Sequence, residues 1–477
     1  MPLSKIKQIF GITLKVLSVL LIVLFTVRSF LNDGFVYVIN GGYYYRYYKV
    51  IDIFGSIVRW VHLIAICLIP TAAFFRSKLL AKYTIMFALL AFILDVVSFD
   101  AQMAYFLTKS ARVTDVSSTF RYVEYISEIV VIGLFAVLYL FLYWRDIISA
   151  PALVKLIKSE TKEERKTNVF RFLKELGRFL IILVFVILIA MPVYIPQSFF
   201  GFSNIQMARF TWKHLLYFLP TPVIFIVLYA LFDHESHKNK EIIITFLTIF
   251  LFIHYNSIYL MDLYASRLPF QLCNIGSMFM LVLLIFRKTK LGQAFFDFAF
   301  IANIPGALIA FIFIDVKDLS LFSFWSVHYF LQHVWVMVIP LLLVAFKIYK
   351  FPKGGKAVLH FFIGFTIYFL ICAGVGTMFN CFLYKDNDAF FNYCNYFYIF
   401  KNDVVNVLPF LSFTKKLAVT FKTRHPIYPI YMLFIYMMFS IYSLVCYLIL
   451  DKLYKVACDH KQLHRLNKAY KEEMKNA

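Results

Sequence analysis

Cys273 and His333 are the side chains whose types and placement suit covalent chemistry. The thiol sits in Arg267-Leu-Pro-Phe-Gln-Leu-Cys-Asn-Ile275 at the mouth of an apolar segment; the imidazole lies two apolar segments later, at a similar distance from the same end. A cysteine with a histidine base can carry an acyl group: the imidazole takes the thiol proton, sulfur forms the thioester, and an acceptor hydroxyl resolves it. Without an imidazole or other cation, a thiol in apolar surroundings is inert. The tetrahedral oxyanion also needs donors, and Gln271, Asn274 and Asn395 are the candidates for that role or for orienting the histidine. His214 and His328 are further candidates for the substrate pocket. His328 and His333 are five residues apart and so point to different faces of one helix. His214 and His254 lie in outer halves of their segments, yet no tight His-x-x-x-His pair supports a metal, so no metal or cofactor is expected. The plainer reading is a small packing cysteine and a histidine bonded to a neighbouring carbonyl.

Apolar helices must position these groups. Hydrophobic residues make up 62% of the 477-residue chain, and the mean hydropathy is +0.77. Apolar runs fall at roughly 9–31, 51–75, 82–107, 121–144, 176–196, 212–233, 240–262, 267–286, 294–314, 325–347, 357–380 and 427–451. The expected fold is all-α, a polytopic membrane bundle of about twelve spans. The first run is too long for a simple signal peptide and is read as a retained helix. Arg76, Lys78, Lys82, Arg287, Lys288, Lys290, Lys347, Lys350, Lys353 and Lys356 fall in connections on one side of this count. That side also receives Lys5, Lys7, the 145–175 linker and the basic tail 456–477. Positive-inside retention then sets both termini in the cytoplasm of a cell-membrane protein. The net charge of +22 follows this topology and attraction to anionic headgroups, so membrane lipids are the expected partners and nucleic acid is not. Counted inward at 1.5 Å per residue, Cys273 and His333 both lie roughly 9–12 Å below the outer boundary.

The seven cysteines, at 67, 273, 372, 381, 394, 446 and 458, show no metal-finger spacing. A Cys381–Cys394 disulfide is conceivable in the long outer segment 381–426, which is expected to fold over the outer mouth. Phe75-Arg76 and Phe87-Ala88 recur as Phe286-Arg287 and Phe298-Ala299, and Phe120–Tyr125 echoes Phe324–Tyr329. The spacing suggests two related halves: a five-span region 1–200 and a seven-span domain 201–455. Within the first, Arg59, His62, Asp95, Asp100, Glu124 and Glu128 fall in apolar spans, and ionisable groups there usually mark a cavity or pathway. Glu124 and Glu128 share a helical face that Arg59 could pair with. This constellation supports the alternative of a twelve-span secondary transporter with intramembrane carboxylates.

The second half resembles the YwaF-type integral membrane proteins, whose eukaryotic relatives form the transmembrane-protein-164 group. The resemblance covers roughly 210–450. It runs through Phe210-Thr-Trp-Lys-His214, Leu268-Pro-Phe-Gln-Leu-Cys273-Asn-Ile275, Gly306-Ala307 towards Asp315, His333, Asn395-Tyr396 and Pro429-Ile-Tyr431. Gln271 departs from the pattern, which commonly has histidine there. The resemblance implies lipid chemistry, in which a fatty acyl chain moves onto a phospholipid through the motif cysteine and a histidine. His333 is preferred to His328 because it matches the family position.

Overall fold

The computed structural model describes residues 3–30, 49–99, 118–148, 158–174, 176–177, 211–259, 268, 270–312, 324–383, 394–400, 405, 409–419 and 426–476. In chain order its main helices are α1 (Leu3–Phe30), α2 (Lys49–Phe74), α3 (Lys78–Val97), α4 (Ser118–Ile148), α5 (Pro220–Phe232), α6 (His237–Tyr259), α7 (Leu272–Phe286), α8 (Lys290–Ile312), α9 (Phe324–Ala345), α10 (Gly354–Thr377) and α11 (Pro429–Asn476). A helical turn at Trp212–Leu215 leads into α5. Among the described residues the remaining pairing is one antiparallel bridge between Val419 and Ile427. Eleven of the twelve expected spans coincide with these helices; the fifth, 176–196, falls almost wholly outside the described residues.

Long apolar runs become helices because a backbone in lipid must satisfy its hydrogen bonds within its own segment. Among the described residues, six helices are long and apolar enough to cross a membrane, and four other apolar helices are shorter. Their outer faces suit hydrocarbon: Val130, Leu134, Val137 and Phe141 of α4, and Leu433, Met437, Ile441, Val445 and Leu448 of α11, are all exposed at helical spacing. Such continuous apolar surface would be unstable in water. The protein is a multi-pass helical membrane protein. With 48 residues, α11 runs about 72 Å at 1.5 Å per residue, more than twice a ~30 Å hydrocarbon core.

The chain divides into two compact units. The first comprises Met1–Val223, Ala230–Leu263 and Asp315–Trp335; the second comprises Ile224–Tyr229, Tyr264–Ile314 and Val336–Ala477. In the first, α2 packs on α3, α3 on α4, and α1 on both α2 and α4, with α6 against α1 and α2. Leu63, Ala65, Ile66 and Ile69 of α2, Ala88 and Ala91 of α3, and Ile132, Phe135 and Ala136 of α4 are buried in its core.

In the second unit α8 is central and packs against α7, α10 and α11. Apolar residues at successive positions, Phe298 to Ala302, are buried, as expected for a helix surrounded by others. Near its first turns, Gln293 Nε2 donates to Asp297 Oδ1 at 2.9 Å and to the Lys350 carbonyl at 3.0 Å. Gln293 Oε1 in turn accepts from Lys350 N at 3.1 Å. His360 Nδ1 meets Asp297 Oδ2 at 2.8 Å. This clamp fixes the α9–α10 connection to α8.

Candidate functional site

Cys273 occupies the first turn of α7, directly after Leu272, and Gln271 is the N-cap in extended conformation. The Cys273 thiol donates to Asn274 Oδ1 at 3.3 Å, while the Asn274 backbone N–H donates to the Gln271 carbonyl at 2.9 Å. With Asn274 N engaged by the cap carbonyl, the N–H groups of Leu272 and Cys273 are the ones at the very start of the helix, where the positive end of the helix dipole favours developing negative charge. Asn274 is buried, so the thiol meets an amide rather than solvent on that side. Ser277 Oγ donates to the Asn274 carbonyl at 2.7 Å.

The segment 394–400 is fixed to this helix end by side-chain amides. Gln271 Nε2 donates to the Asn395 carbonyl at 3.0 Å, and Gln271 Oε1 accepts from Phe397 N at 3.0 Å. Asn395 Oδ1 accepts from Phe400 N at 3.0 Å. Asn380 makes a second two-point clamp, with 2.8 Å bonds from its Nδ2 to the Cys394 carbonyl and from Cys394 N to its Oδ1. These bonds hold Phe397 and Tyr398 at φ of 51° and 57°, a conformation that costs a residue with a Cβ about 1–2 kcal/mol. The Phe397 ring lies among Phe365, Tyr368, Phe369 and Phe439. Tyr368 Oη donates to the Phe270 carbonyl at 2.7 Å, and Cys372 Sγ donates to the same oxygen at 3.5 Å. Gln271 and Asn395 therefore spend these amide groups positioning the segment beside Cys273. None of the seven cysteines is in a disulfide, so the conceivable Cys381–Cys394 bridge is not formed. Burial pushes the Cys394 thiol up to about 11.

Two glycines let α7 and α8 approach closely at this level. A methyl group on Gly306 would come within 2.8 Å of the Leu272 side chain, and one on Gly276 would come within 3.2 Å of Asn303 Nδ2. Asn303 is fully buried, and neither polar atom of its side chain has a hydrogen-bond partner among the described residues. Sequence reasoning missed Asn303. Its signal is an isolated amide within Phe300-Ile-Ala-Asn-Ile-Pro305.

His333 belongs to the first unit and Cys273 to the second. His333 is buried. Its Nδ1 is 2.6 Å from the Tyr329 carbonyl, and its ring lies 4.4 Å from that of Tyr329. A carbonyl oxygen accepts and cannot donate, so Nδ1 carries the proton and the lone pair of the neutral ring is on Nε2. His214 is also fully buried, with its ring 5.7 Å from Phe218 and 6.4 Å from Phe330. The side chains of His328, His254 and Arg59 lie outside the described residues, as do Asp100 and Asp315.

A second polar cluster lies in the first unit. His62 Nδ1 of α2 is 2.7 Å from Asp95 Oδ2 of α3, and His62 Nε2 is 3.6 Å from Glu128 Oε2 of α4. Tyr125 Oη donates to Asp95 Oδ1 at 3.4 Å. All four residues are buried, as is Glu124. The imidazole thus cross-links three helices. Among the described residues, no group of three or more His, Cys, Asp or Glu is arranged to hold a metal ion.

The family model described as the TMEM164 family matches residues 209–447, a stretch that contains Cys273, Asn303 and His333 and excludes the His62 cluster. No match was found among curated proteins or among solved structures.

Proposed function

The chain belongs to the TMEM164 family, and from that premise we propose that its second half is a phospholipid acyltransferase in which Cys273 is the nucleophile and His333 the base. The observation that carries the reading is the His333 tautomer: with Nδ1 donating to Tyr329, the lone pair lies on Nε2, the state a general base requires. In the proposed reaction Nε2 takes the thiol proton and sulfur attacks the acyl carbonyl carbon of a membrane phospholipid. The ester C–O bond breaks, and the leaving lysolipid alkoxide recovers the proton from the imidazolium. An acceptor hydroxyl then attacks the thioester, giving its proton to Nε2, which returns it to the departing thiolate. Asn274 orients the thiol, and the N–H groups of Leu272 and Cys273 at the start of α7 are suited to the charge that develops on sulfur and oxygen. Gln271 and Asn395 hold the covering segment, while His214 and His328 belong to the substrate pocket. The reading sets both termini in the cytoplasm and the chemistry towards the outer leaflet of the cell membrane.

The test is lipid profiling of cells expressing wild type, Cys273→Ala or His333→Ala. Acyl transfer predicts altered phospholipid species with the wild type and none with either variant; unchanged profiles across all three would reject it.

A second reading, a secondary transporter, rests on the His62–Asp95–Glu128 cluster, since buried carboxylates with a titratable partner are the groups that couple transport to protons. Transport assays separate the two. A transporter tolerates Cys273→Ser and fails with Asp95→Asn or Glu124→Gln, whereas the acyltransferase shows the reverse for its chemical step.

A further inference from the structure

Asn303 stands near the middle of α8 with no exposed surface. An amide in such an interior keeps its demand for two donated and two accepted hydrogen bonds, and neither its nitrogen nor its oxygen is partnered among the described residues. The neighbouring polar side chains on α7 are engaged, Ser277 with the Asn274 carbonyl and Asn274 with the thiol. Asn303 instead lies against the bare backbone of Gly276, where a methyl group would meet Nδ2 at 3.2 Å, Cγ at 3.3 Å and Val336 Cγ1 at 3.3 Å. Gly276 is three residues along α7 from Cys273, so it lies about 4.5 Å further along the helix axis on a neighbouring face. Two residues after Asn303, Pro305 sits inside the helix and has no N–H to offer the Ile301 carbonyl. Broken helical bonding of this kind is tolerated in membranes where a cavity or neighbouring group is served.

We propose that Asn303 is the polar anchor for the ester region of the lipid that Cys273 acts on. Its Nδ2 donates to an ester carbonyl oxygen, and its Oδ1 can accept from a glycerol hydroxyl. The inference rests on the acyl-transfer reading. A neutral amide suits a neutral ester; the charged phosphate headgroup is bound elsewhere. Gly276 is part of the same device, because any side chain there would crowd the amide.

The test uses the full-length protein in vesicles of phosphatidylcholine carrying a fluorescent acyl chain. It compares wild type with Asn303→Leu, which keeps the volume and removes the hydrogen bonds, and with Asn303→Ser, which restores a smaller polar group. One readout is the rate of hydroxylamine-labile fluorescence on Cys273; the other is modification of Cys273 by N-ethylmaleimide, which reports an intact and accessible thiol. The expected result is lipid labelling slowed about tenfold in Asn303→Leu at limiting lipid. Partial recovery is expected in Asn303→Ser, with maleimide modification unchanged in both. Wild-type lipid labelling in Asn303→Leu would overturn the anchor, as would parallel loss of both labels in both variants. Absence of lipid label on the wild type would reject the acyl-transfer reading itself, a distinct outcome.

Discussion

In the first unit His62 is held between two carboxylates drawn from other helices; in the second, Cys273 stands among amides, a thiol and a phenol whose hydrogen bonds are neutral. Phe75, Phe87 and His62 each precede Phe286, Phe298 and Cys273 by 211 residues. On the reading of two related halves, one register carries a titratable His–carboxylate set in the first copy and a thiol among neutral groups in the second. The difference teaches what each can serve. A buried His–carboxylate set already has its counter-charges and suits a structural, proton or cation role. Neutral dipoles around a thiol leave room for charge that arises only as a bond forms, and that is the requirement for transition-state stabilisation.

The sharpest way to break this contrast is to remove the base from the second half. His333→Gln should lower acyl transfer by roughly 10²–10⁴-fold while the protein stays folded, as read by the turnover of fluorescent phospholipid. Neutralising one partner of the charged cluster should do the opposite. Asp95→Asn neutralises the nearer of the two carboxylates that meet His62 and should destabilise by about 3–5 kcal/mol, seen as a lower unfolding temperature, with transfer per folded molecule unchanged. A drop in turnover at unchanged stability would instead move function into the first unit.

Smaller effects sharpen the picture of the covering segment. Gln271→Ala removes both bonds to Asn395 and Phe397, exposing two backbone groups at a cost of about 1–3 kcal/mol. Faster proteolysis within 394–400 is the expected readout. Tyr368→Phe removes one bond to the Phe270 carbonyl and should cost about 0.5–1.5 kcal/mol. Cys394 provides a control: with its thiol pushed up to about 11, iodoacetamide at pH 8 should leave it unmodified. Its alkylation should rise as pH approaches that value and thiolate forms.

Much of the scaffold was legible because hydropathy reports what lipid demands of a helix. The runs expected at 121–144 and 294–314 appear as Ser118–Ile148 and Lys290–Ile312. The last helix outruns its expected end at 451 to reach Asn476, because a polar continuation of a helix leaves no hydropathy signal. Six intramembrane ionisable residues were visible as a constellation, but their pairing was not. Glu124 and Glu128 do share α4, and the Arg59 side chain expected near them lies outside the described residues; that His62 also meets Glu128 was not foreseen, because distance across helices is invisible to spacing along one. Gln271 and Asn395 drew attention as oxyanion donors through their motifs. Their partners lie 124 and 126 residues away for Gln271 and five for Asn395, and the loop conformation that aligns them comes from tertiary packing. Asn303 escaped because one amide in a run of Phe, Ala and Ile has no periodicity.

The central claim is that Cys273 carries the acyl group, and it is tested most directly by mass spectrometry of the full-length protein after incubation with phospholipid. The account predicts a hydroxylamine-labile fatty acyl adduct on Cys273 that disappears when an acceptor hydroxyl is supplied and never forms in Cys273→Ser. Sustained acyl transfer by Cys273→Ser, or an adduct confined to another residue, would contradict it.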